Sequence, residues 1–369
     1  MDTSLRELIL SYDADSPLER ASTIPSPWYT DPRIAELERW STFSRNWLVA
    51  ARADQVATTG QYVTLEVGGE PLAIVRGDDG VLRGFFNVCR HHAAAVLSDV
   101  QGRADKLRCP YHGWTYSLRG ELKSVPDFAG VCDFDRSATG LVPVDVDVWE
   151  KWVFVRLERT GTNLGAFLSS ELIDRILPLD LGKFQWFERR TYTVECNWKV
   201  FVDNYLDGGY HVPHVHKGLD SVLDYSNYTI HIGERYCLQS SPLTTEGADP
   251  QTGAVRGGDR AFYYWIYPNF MINWYEGALD TNLVLPDGVN QTKVIIDYYF
   301  PDISIAARKH NLDSIAIGES IQEEDAAICK SVQRGLNSRA YTAGRLSVRR
   351  EGGEHLFHRL LSVDLRSAI

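Results

Sequence analysis

The sequence predicts an α+β protein of two domains, with antiparallel sheets dominating the first half and helices joined to longer strands in the second. Three observations carry this expectation. At 369 residues the chain exceeds what a single hydrophobic core usually organises. Between Trp47 and Leu157, short runs rich in β-branched and aromatic residues, among them Tyr62–Val67 and Pro71–Arg76, are punctuated by Gly68-Gly69 and Gly77-Asp78-Asp79-Gly80, the residues tight hairpin turns favour. After Gly161, strand-like runs over Arg260–Asn273 and Thr292–Phe300 mix with helical spacing that holds from about Ser304 to Leu336.

The chain opens on a helical segment, residues 1–46. Thr30-Asp31-Pro32 offers a cap and a proline suited to a first turn, and Ile34, Leu37, Trp40 and Phe43 follow at helical spacing, so one amphipathic helix is expected. This segment is expected to pack on the second domain, residues 158–369. The β-rich domain takes residues 47–157, with Trp152–Leu157 as its last strand. Two of its turns matter most: one follows Phe85-Phe86-Asn87-Val88 and the other precedes Trp114-Thr115-Tyr116-Ser117-Leu118. No repeat and no Gly-rich dinucleotide fingerprint is present, so electrons for any redox chemistry come from another protein.

A net charge of −11 argues against nucleic acid and anionic membranes as partners, since both need a basic face. No apolar run approaches the roughly 18 residues of a membrane span, and the start, Met1-Asp2-Thr3-Ser4-Leu5-Arg6-Glu7, lacks the layout of a signal peptide. A cytoplasmic location is the expectation. Cys132, Cys196, Cys237 and Cys329 show no regular spacing and are expected to be reduced, buried thiols. One stretch is more basic than the rest, with Arg90, Arg103, Lys106, Arg108, Arg119 and Lys123, and suits docking of an acidic electron carrier.

The two turns hold Cys89-Arg90-His91 and Cys109-Pro110-Tyr111-His112. Two thiolates and two imidazoles, one of each from either turn, suit a [2Fe–2S] cluster whose irons are held by Cys₂ and His₂. A tetrahedral zinc site is the alternative, although zinc fingers usually pair like with like. Farther on, Asp203 to His216 packs carboxylates and three histidines into one stretch. Two histidines and one carboxylate with open positions form the facial triad of non-haem Fe(II) oxygenases. His211 and His216 diverge on a straight helix, and Pro213 is expected to turn the chain so that they converge; His214 is expected beside them in a supporting role. Glu323, Glu324 and Asp325 are the candidate acids. Helical spacing sets Asp325 on a face with Ile321, Ile328 and Val332, and a carboxylate on a buried face needs a partner such as a metal.

Over nearly its whole length the chain resembles the Rieske non-haem iron oxygenases, the α-subunit type of ring-hydroxylating oxygenases. The likeness rests on Cys89-x-His91 and Cys109-x₂-His112, followed by Asp207, His211-x₄-His216 and the late Asp325. The runs Asn204–Pro213 and Tyr267–Asn273 are most similar to the choline monooxygenase branch. The resemblance implies an antiparallel-β Rieske [2Fe–2S] domain inserted in a helix-grip (START/Bet v1-like) catalytic domain. It further implies a homotrimer in which each cluster reduces a neighbour's iron, served by a ferredoxin, an NAD(P)H-dependent flavin reductase, or both. By the same resemblance Cys89, His91, Cys109 and His112 hold the cluster, and His211, His216 and Asp325 hold mononuclear Fe(II). Asp207 becomes the electron-transfer bridge, with Asn204 in the same run a further catalytic candidate. Two departures stand out: many members place the bridging acid three residues before the first iron histidine, where this chain has Gly208, and His92 stands where many carry Arg.

Eight aromatics lie between Phe262 and Tyr275. A quaternary ammonium rests well against such faces, and Phe270, Trp274 and Glu276 are the expected pocket residues. The function expected is O₂-dependent hydroxylation of a small quaternary amine, of the choline to betaine aldehyde type. An aromatic-ring dioxygenase or demethylase α subunit is the alternative within the family. A Rieske electron-transfer protein lacking a working second iron site is the alternative outside it.

Overall fold

The computed structural model describes residues 4–159, 161–244 and 246–369. They form two compact units: Arg39–Phe167, and a larger one joining the segment up to Glu38 with Leu168–Ile369, so the first interrupts the chain of the second. The smaller unit reaches beyond 47–157 on both sides because its flanks are tied together. The Glu158 amide donates to the Ser44 carbonyl at 2.9 Å, Arg45 pairs with Glu158, and Trp47 Nε1 donates to the Thr162 carbonyl at 3.0 Å.

In the smaller unit a seven-stranded sheet runs in the order Leu48–Arg52, Trp152–Arg156, Pro143–Trp149, Leu82–Phe86, Glu70–Arg76, Gln61–Val67, Gln101–Arg103. Gly68 and Gly69, both at positive φ, close the two-residue hairpin that pairs Val67 with Glu70. The expected last strand is Trp152–Arg156, buried at every position. A three-stranded sheet, Leu107–Arg108, Thr115–Tyr116 and Leu122–Ser124, carries the second of the two turns.

The larger unit is built on a second seven-stranded sheet, ordered Gln185–Val194, Thr292–Phe300, Ala278–Pro286, Phe270–Glu276, Gly257–Ile266, Tyr236–Pro242, Thr229–Ile232, with every pairing antiparallel. The strand expected over Arg260–Asn273 is two strands, since Pro268 has no amide hydrogen for a ladder and lies in the turn between Ile266 and Phe270. The helices Trp198–Leu206 and Gly352–Arg366 contact this sheet and each other, and the long helix Arg308–Leu336 packs on the Trp198–Leu206 helix and on the edge strand Gln185–Val194. Among the described residues no helix is long and apolar enough to cross a membrane.

The early helix departs from its expected stripe. It runs Pro32–Trp40, with the Asp31 carboxylate accepting from the Arg33 amide at 2.9 Å, and Phe43 belongs to a separate turn, Thr42–Arg45. Its buried face is Ile34 with Glu38, while Trp40 is 54% exposed. Glu38 is buried because two donors answer it: Lys199 Nζ at 2.6 Å and Trp198 Nε1 at 2.8 Å. Burial lowers the Lys199 pKa, and the Glu38 charge opposes that shift. Removing one member of such a pair strands the other charge. Glu38→Ala is therefore expected to destabilise the protein by about 3–5 kcal/mol, read from urea unfolding; a change under about 1 kcal/mol would put the pair in the class of surface ion pairs.

The cysteines differ from expectation at one position. Cys196, Cys237 and Cys329 are buried, whereas Cys132 is exposed. Burial pushes the Cys237 thiol up to about 12, which keeps it protonated and inert.

Candidate metal centres and cavity

The two turns of the smaller unit are built alike. In each, the cysteine amide donates to a carbonyl five residues on (Ala94, Trp114) and the cysteine carbonyl accepts from an amide four residues on (Ala93, Gly113). The fourth-on residue is left-handed in both, at φ +61 for Ala93 and +73 for Gly113. Cys89 and Cys109 are buried, whereas His112 is exposed and His91 half-buried, so the sulfur end lies deeper than the imidazole end. The two imidazole rings are 4.8 Å apart, and His91 stacks on Trp114 at 4.6 Å. Tyr116 accepts the Arg90 amide at 3.0 Å, which turns its own hydroxyl proton to the Cys89 sulfur at 3.4 Å; hydrogen bonds to cluster sulfurs are one setting of reduction potential. The four residues fit the cluster: neither thiol is in a disulfide, and His91 Nδ1 is buried with no partner among the described residues, as a metal-ligating nitrogen is before its metal. His92 is exposed, 4.0 Å from the His91 ring.

In the larger unit the Trp198–Leu206 helix ends at Asp207, and Gly208 and Gly209, at φ +70 and +69, turn the chain sharply. A side chain at Gly208 would overlap the Arg350 carbonyl. The turn feeds a short helix, Val212–Val215, with His211 capping its start and His216 its end. Pro213 occupies a first-turn position, where its missing amide hydrogen costs nothing, so it starts this helix rather than breaking one.

His211 Nε2 and His216 Nε2 are 3.0 Å apart, and Asp325 Oδ1 lies 3.0 Å from His216 Nε2 and 3.6 Å from His211 Nε2. The opposite nitrogens are held: His211 Nδ1 by Asp207 Oδ2 and His216 Nδ1 by Glu324 Oε2, each at 2.6 Å. With Nδ1–H donated to a carboxylate, each Nε2 is left with a lone pair, and two lone pairs and a carboxylate oxygen facing one another suit a metal cation between them. The donor set therefore fits a mononuclear iron. Asn204 Nδ2 donates to Asp325 Oδ1 at 2.7 Å, and Asp207 also accepts the amides of Tyr210 and His211. His214 is exposed and outside this convergence. Asp325 is buried with Cys329, Gln333 and Leu336, whereas Ile328 and Val332 are exposed. The buried stripe of this helix is thus partly polar. Glu324 was among the three acids the sequence offered, but its hold on His216 appears only in the structure.

Beside the triad opens a cavity with about 840 Å³ of non-atom space, part of it continuous with solvent. Asn204, His211, His216 and Asp325 line it at the triad, and Tyr205, Tyr228, Tyr263, Tyr275 and Tyr298 line it elsewhere, with Asp280 and Arg256. Phe270, Trp274 and Glu276 are not among its lining residues, which corrects the sequence expectation. Strand alternation gives the reason: Asn273 and Tyr275 of the strand Phe270–Glu276 face the cavity, so 270, 274 and 276 take the opposite parity. A polar network stiffens the wall. Tyr205 donates to Asn273 Oδ1 at 2.8 Å, Asn273 Nδ2 to Asp280 Oδ1 at 2.6 Å, and the Tyr263 and Tyr275 hydroxyls meet at 2.6 Å. Arg256 bonds Ser314 at 2.7 Å and lies over the Tyr275 ring, but its buried Nε has no partner among the described residues.

Comparison with known proteins agrees with this geometry. The Rieske [2Fe-2S] domain model matches residues 46–135, and the ring hydroxylating alpha subunit (catalytic domain) model matches residues 181–363. The chain is 38% identical to choline monooxygenase, chloroplastic, of Arabidopsis thaliana over 99% of this chain and 88% of that protein. It is 30% identical to the carnitine monooxygenase oxygenase subunit of Escherichia coli (strain K12) over 93% and 94% of the two chains. Among solved structures, the quaternary ammonium Rieske monooxygenase CntA in complex with L-carnitine superposes with a TM-score of 0.81 at 28% identity, covering 94% of this chain and 96% of that one. Naphthalene 1,2-dioxygenase from Rhodococcus sp. shares the fold, with a TM-score of 0.77 at 20% identity over 93% and 94%. The chain belongs to the Rieske non-haem iron oxygenases, with the [2Fe–2S] domain and the ring-hydroxylating α-type catalytic domain in one polypeptide that draws its electrons from a separate protein.

Proposed function

We propose that this oxygenase hydroxylates a small quaternary amine, with choline to betaine aldehyde as the leading reaction. The observation that carries the reading is the tyrosine-walled cavity with a half-buried carboxylate, Asp280, opening on the triad. Aromatic faces and one carboxylate are what recognises a cation that cannot donate a hydrogen bond. His211, His216 and Asp325 would hold the iron, which when bound would supply O₂ activation; Cys89, His91, Cys109 and His112 would hold the cluster. Asp207 orients His211 and bridges electron entry, and Asn204 fixes Asp325. The tyrosine wall places the substrate C–H beside the triad. Oxygen insertion at the carbinol carbon of choline gives an aldehyde hydrate, which loses water to the aldehyde. We further propose a homotrimer with electron transfer between subunits, fed by a ferredoxin or an NAD(P)H-dependent flavin reductase docking near the exposed Arg90, Arg103, Lys106 and Arg108.

One observation favours a second reading. Arg256 lines the same cavity, and its buried Nε has no partner among the described residues, so its guanidinium suits a quaternary amine that also bears a carboxylate, as carnitine does. Reconstitution with a generic reductase, NADH and O₂, followed by mass spectrometry of products from choline, betaine, carnitine and aromatic acids, separates the readings. Oxidation of aromatic acids alone would overturn both.

Asp280 gives a pH test. Burial holds its carboxyl above the ordinary carboxylate range, and Asn273 and Arg256 pull it back. A cation prefers the ionised form, so affinity is full above the raised pKa and falls as pH drops through it. Asp280→Asn is expected to raise KM for the amine about 10- to 100-fold, as the loss of a charge-assisted contact does, and to abolish that pH dependence. An unchanged KM would remove Asp280 from substrate recognition.

A further inference from the structure

A second convergence of ligand-type side chains lies in the larger unit. Asp203, Glu354 and His358 bring one donor atom each within 4.8 Å of the others, with His358 Nε2 at 3.0 Å from Asp203 Oδ1 and 3.9 Å from Glu354 Oε1. The spacing is close to that of the iron triad, yet the hydrogen bonding is reversed. In the triad, carboxylates take the Nδ1 protons and leave Nε2 bare. His358 Nδ1 is buried without a partner among the described residues. A proton there would be a buried donor with no acceptor, so the proton sits on Nε2 and points at Asp203. The Tyr29 hydroxyl donates to the other Asp203 oxygen at 2.6 Å. Both Asp203 oxygens are thereby answered. Glu354 is 6% exposed, and its carboxyl has no hydrogen bond from any described residue. An ionised carboxylate so placed, beside a second one, is costly.

We propose that Glu354 is kept as the carboxylic acid and acts as a proton store for hydroxylation, through the cavity it shares with Asp203, Asn204 and Asp207. That cavity is lined by these four together with Tyr29 and Tyr341, and Asn204 touches Asp325 at its far side, so it runs from the store to the back of the iron ligands. Burial, then the charges of Asp203, Glu351 and Asp207, push the Glu354 carboxyl well above the ordinary range. Its place in the first turn of the Gly352–Arg366 helix works the other way and keeps the proton releasable. The ionisable groups around it are Glu351 and His358 from its own helix and cap, Asp203 and Asp207 from the Trp198–Leu206 helix and its cap, and Tyr12, Tyr29 and Tyr341. Hydroxylation converts R–H and O₂ to R–OH and water, consuming two electrons, which the cluster and its donor protein supply, and two protons. Glu354 gives one proton to cavity water and recovers it from bulk solvent. Glu354 and His358 act on the reaction through other groups and are positioning residues.

This inference rests on the oxygenase reading and not on the choice of substrate. The test uses the iron-loaded full chain and its Glu354→Gln and Glu354→Asp variants. Infrared spectra taken without substrate or electron donor are expected to show the carbonyl stretch of a buried carboxylic acid that shifts in D₂O and is missing in the Gln variant. In turnover the Gln variant is expected to lose about tenfold in kcat and to release more H₂O₂ per NADH, and the Asp variant to recover part of both. Absence of the band overturns the proposal whatever the substrate proves to be. So does a Gln variant with wild-type kcat and coupling, or an extra equivalent of Zn²⁺ or Mn²⁺ bound by wild type and lost in the Gln variant. If the Gln variant does not fold, a displaced band in the Asp variant supports the assignment and an unmoved one overturns it.

Discussion

Asp325→Ala is expected to yield a folded protein that keeps the visible spectrum of its [2Fe–2S] cluster and has lost both the mononuclear iron and hydroxylation. The fold should hold because the site is in the interior of the Arg308–Leu336 helix, where alanine is the most favourable residue, and because the packed neighbours on that stripe, Cys329 and Gln333, remain. The metal should go because, among the described residues, Asp325 Oδ1 is the only carboxylate oxygen that meets both bare nitrogens, at 3.0 and 3.6 Å. Residues that merely orient ligands cost about 10- to 100-fold in metal affinity when removed, and a direct ligand costs more. Iron analysis should find the cluster irons retained and the third iron gone, with product formation below detection. Retained iron and activity would refute the assignment of Asp325, and Glu324, already hydrogen-bonded to His216, would become the acid to examine.

What the sequence disclosed, and what it withheld, follows from the range over which each feature is encoded. Gly68-Gly69 fixes a two-residue turn locally, and the hairpin forms where the pattern places it. The Cys89/His91 and Cys109/His112 pairs sit in short turns, so spacing alone brings each pair together, and Thr292–Phe300 is a strand at the expected bounds. Misreadings arise where a distant partner decides the outcome. Helical periodicity set Trp40 inward, but Lys199 and Trp198, far along the chain, draw Glu38 in and leave Trp40 in solvent. The aromatic run hid a turn at Pro268, and an uncertain turn leaves the parity of the following strand open. Phe270 and Trp274 are the expected pocket residues, whereas Tyr263 and Tyr275 line the cavity. Asp280 gives no local signal at all, for it becomes a cavity carboxylate only once its strand pairs with Phe270–Glu276 and sets Asn273 beside it.

The polar groups of the larger unit are sorted by which protons they keep. Around the iron triad each carboxylate that takes an Nδ1 proton leaves a lone pair for metal, whereas His358 has no acceptor at Nδ1 among the described residues and turns its Nε2 to Asp203. Asp207 stands between the two groups, lining the cavity of the second while holding a ligand of the first.

For that reason Asp207→Asn is the second variant with a large expected effect. Asparagine preserves volume, and its one carbonyl oxygen can take the Oδ2 place and still accept the His211 amide; the Tyr210 amide loses its Oδ1 acceptor, but Gly208 and Gly209 still supply the turn. What is lost is the negative charge on His211 Nδ1–H, a charge-assisted bond at 2.6 Å, and with it the anionic link proposed for electron entry. Cluster reduction by the donor protein should proceed at the wild-type rate, because the cluster loops belong to the other unit of the chain. Reoxidation of the reduced cluster on mixing with substrate and O₂, followed by stopped-flow absorbance, is expected to slow roughly a hundredfold, at the upper end of what an orienting partner contributes. The fall in kcat should match the slowed reoxidation while KM stays near wild type, since Asp207 does not line the tyrosine-walled cavity. Wild-type reoxidation in the variant would show that electrons enter by another route, and a raised KM with normal reoxidation would assign Asp207 to shaping the substrate site through His211 instead.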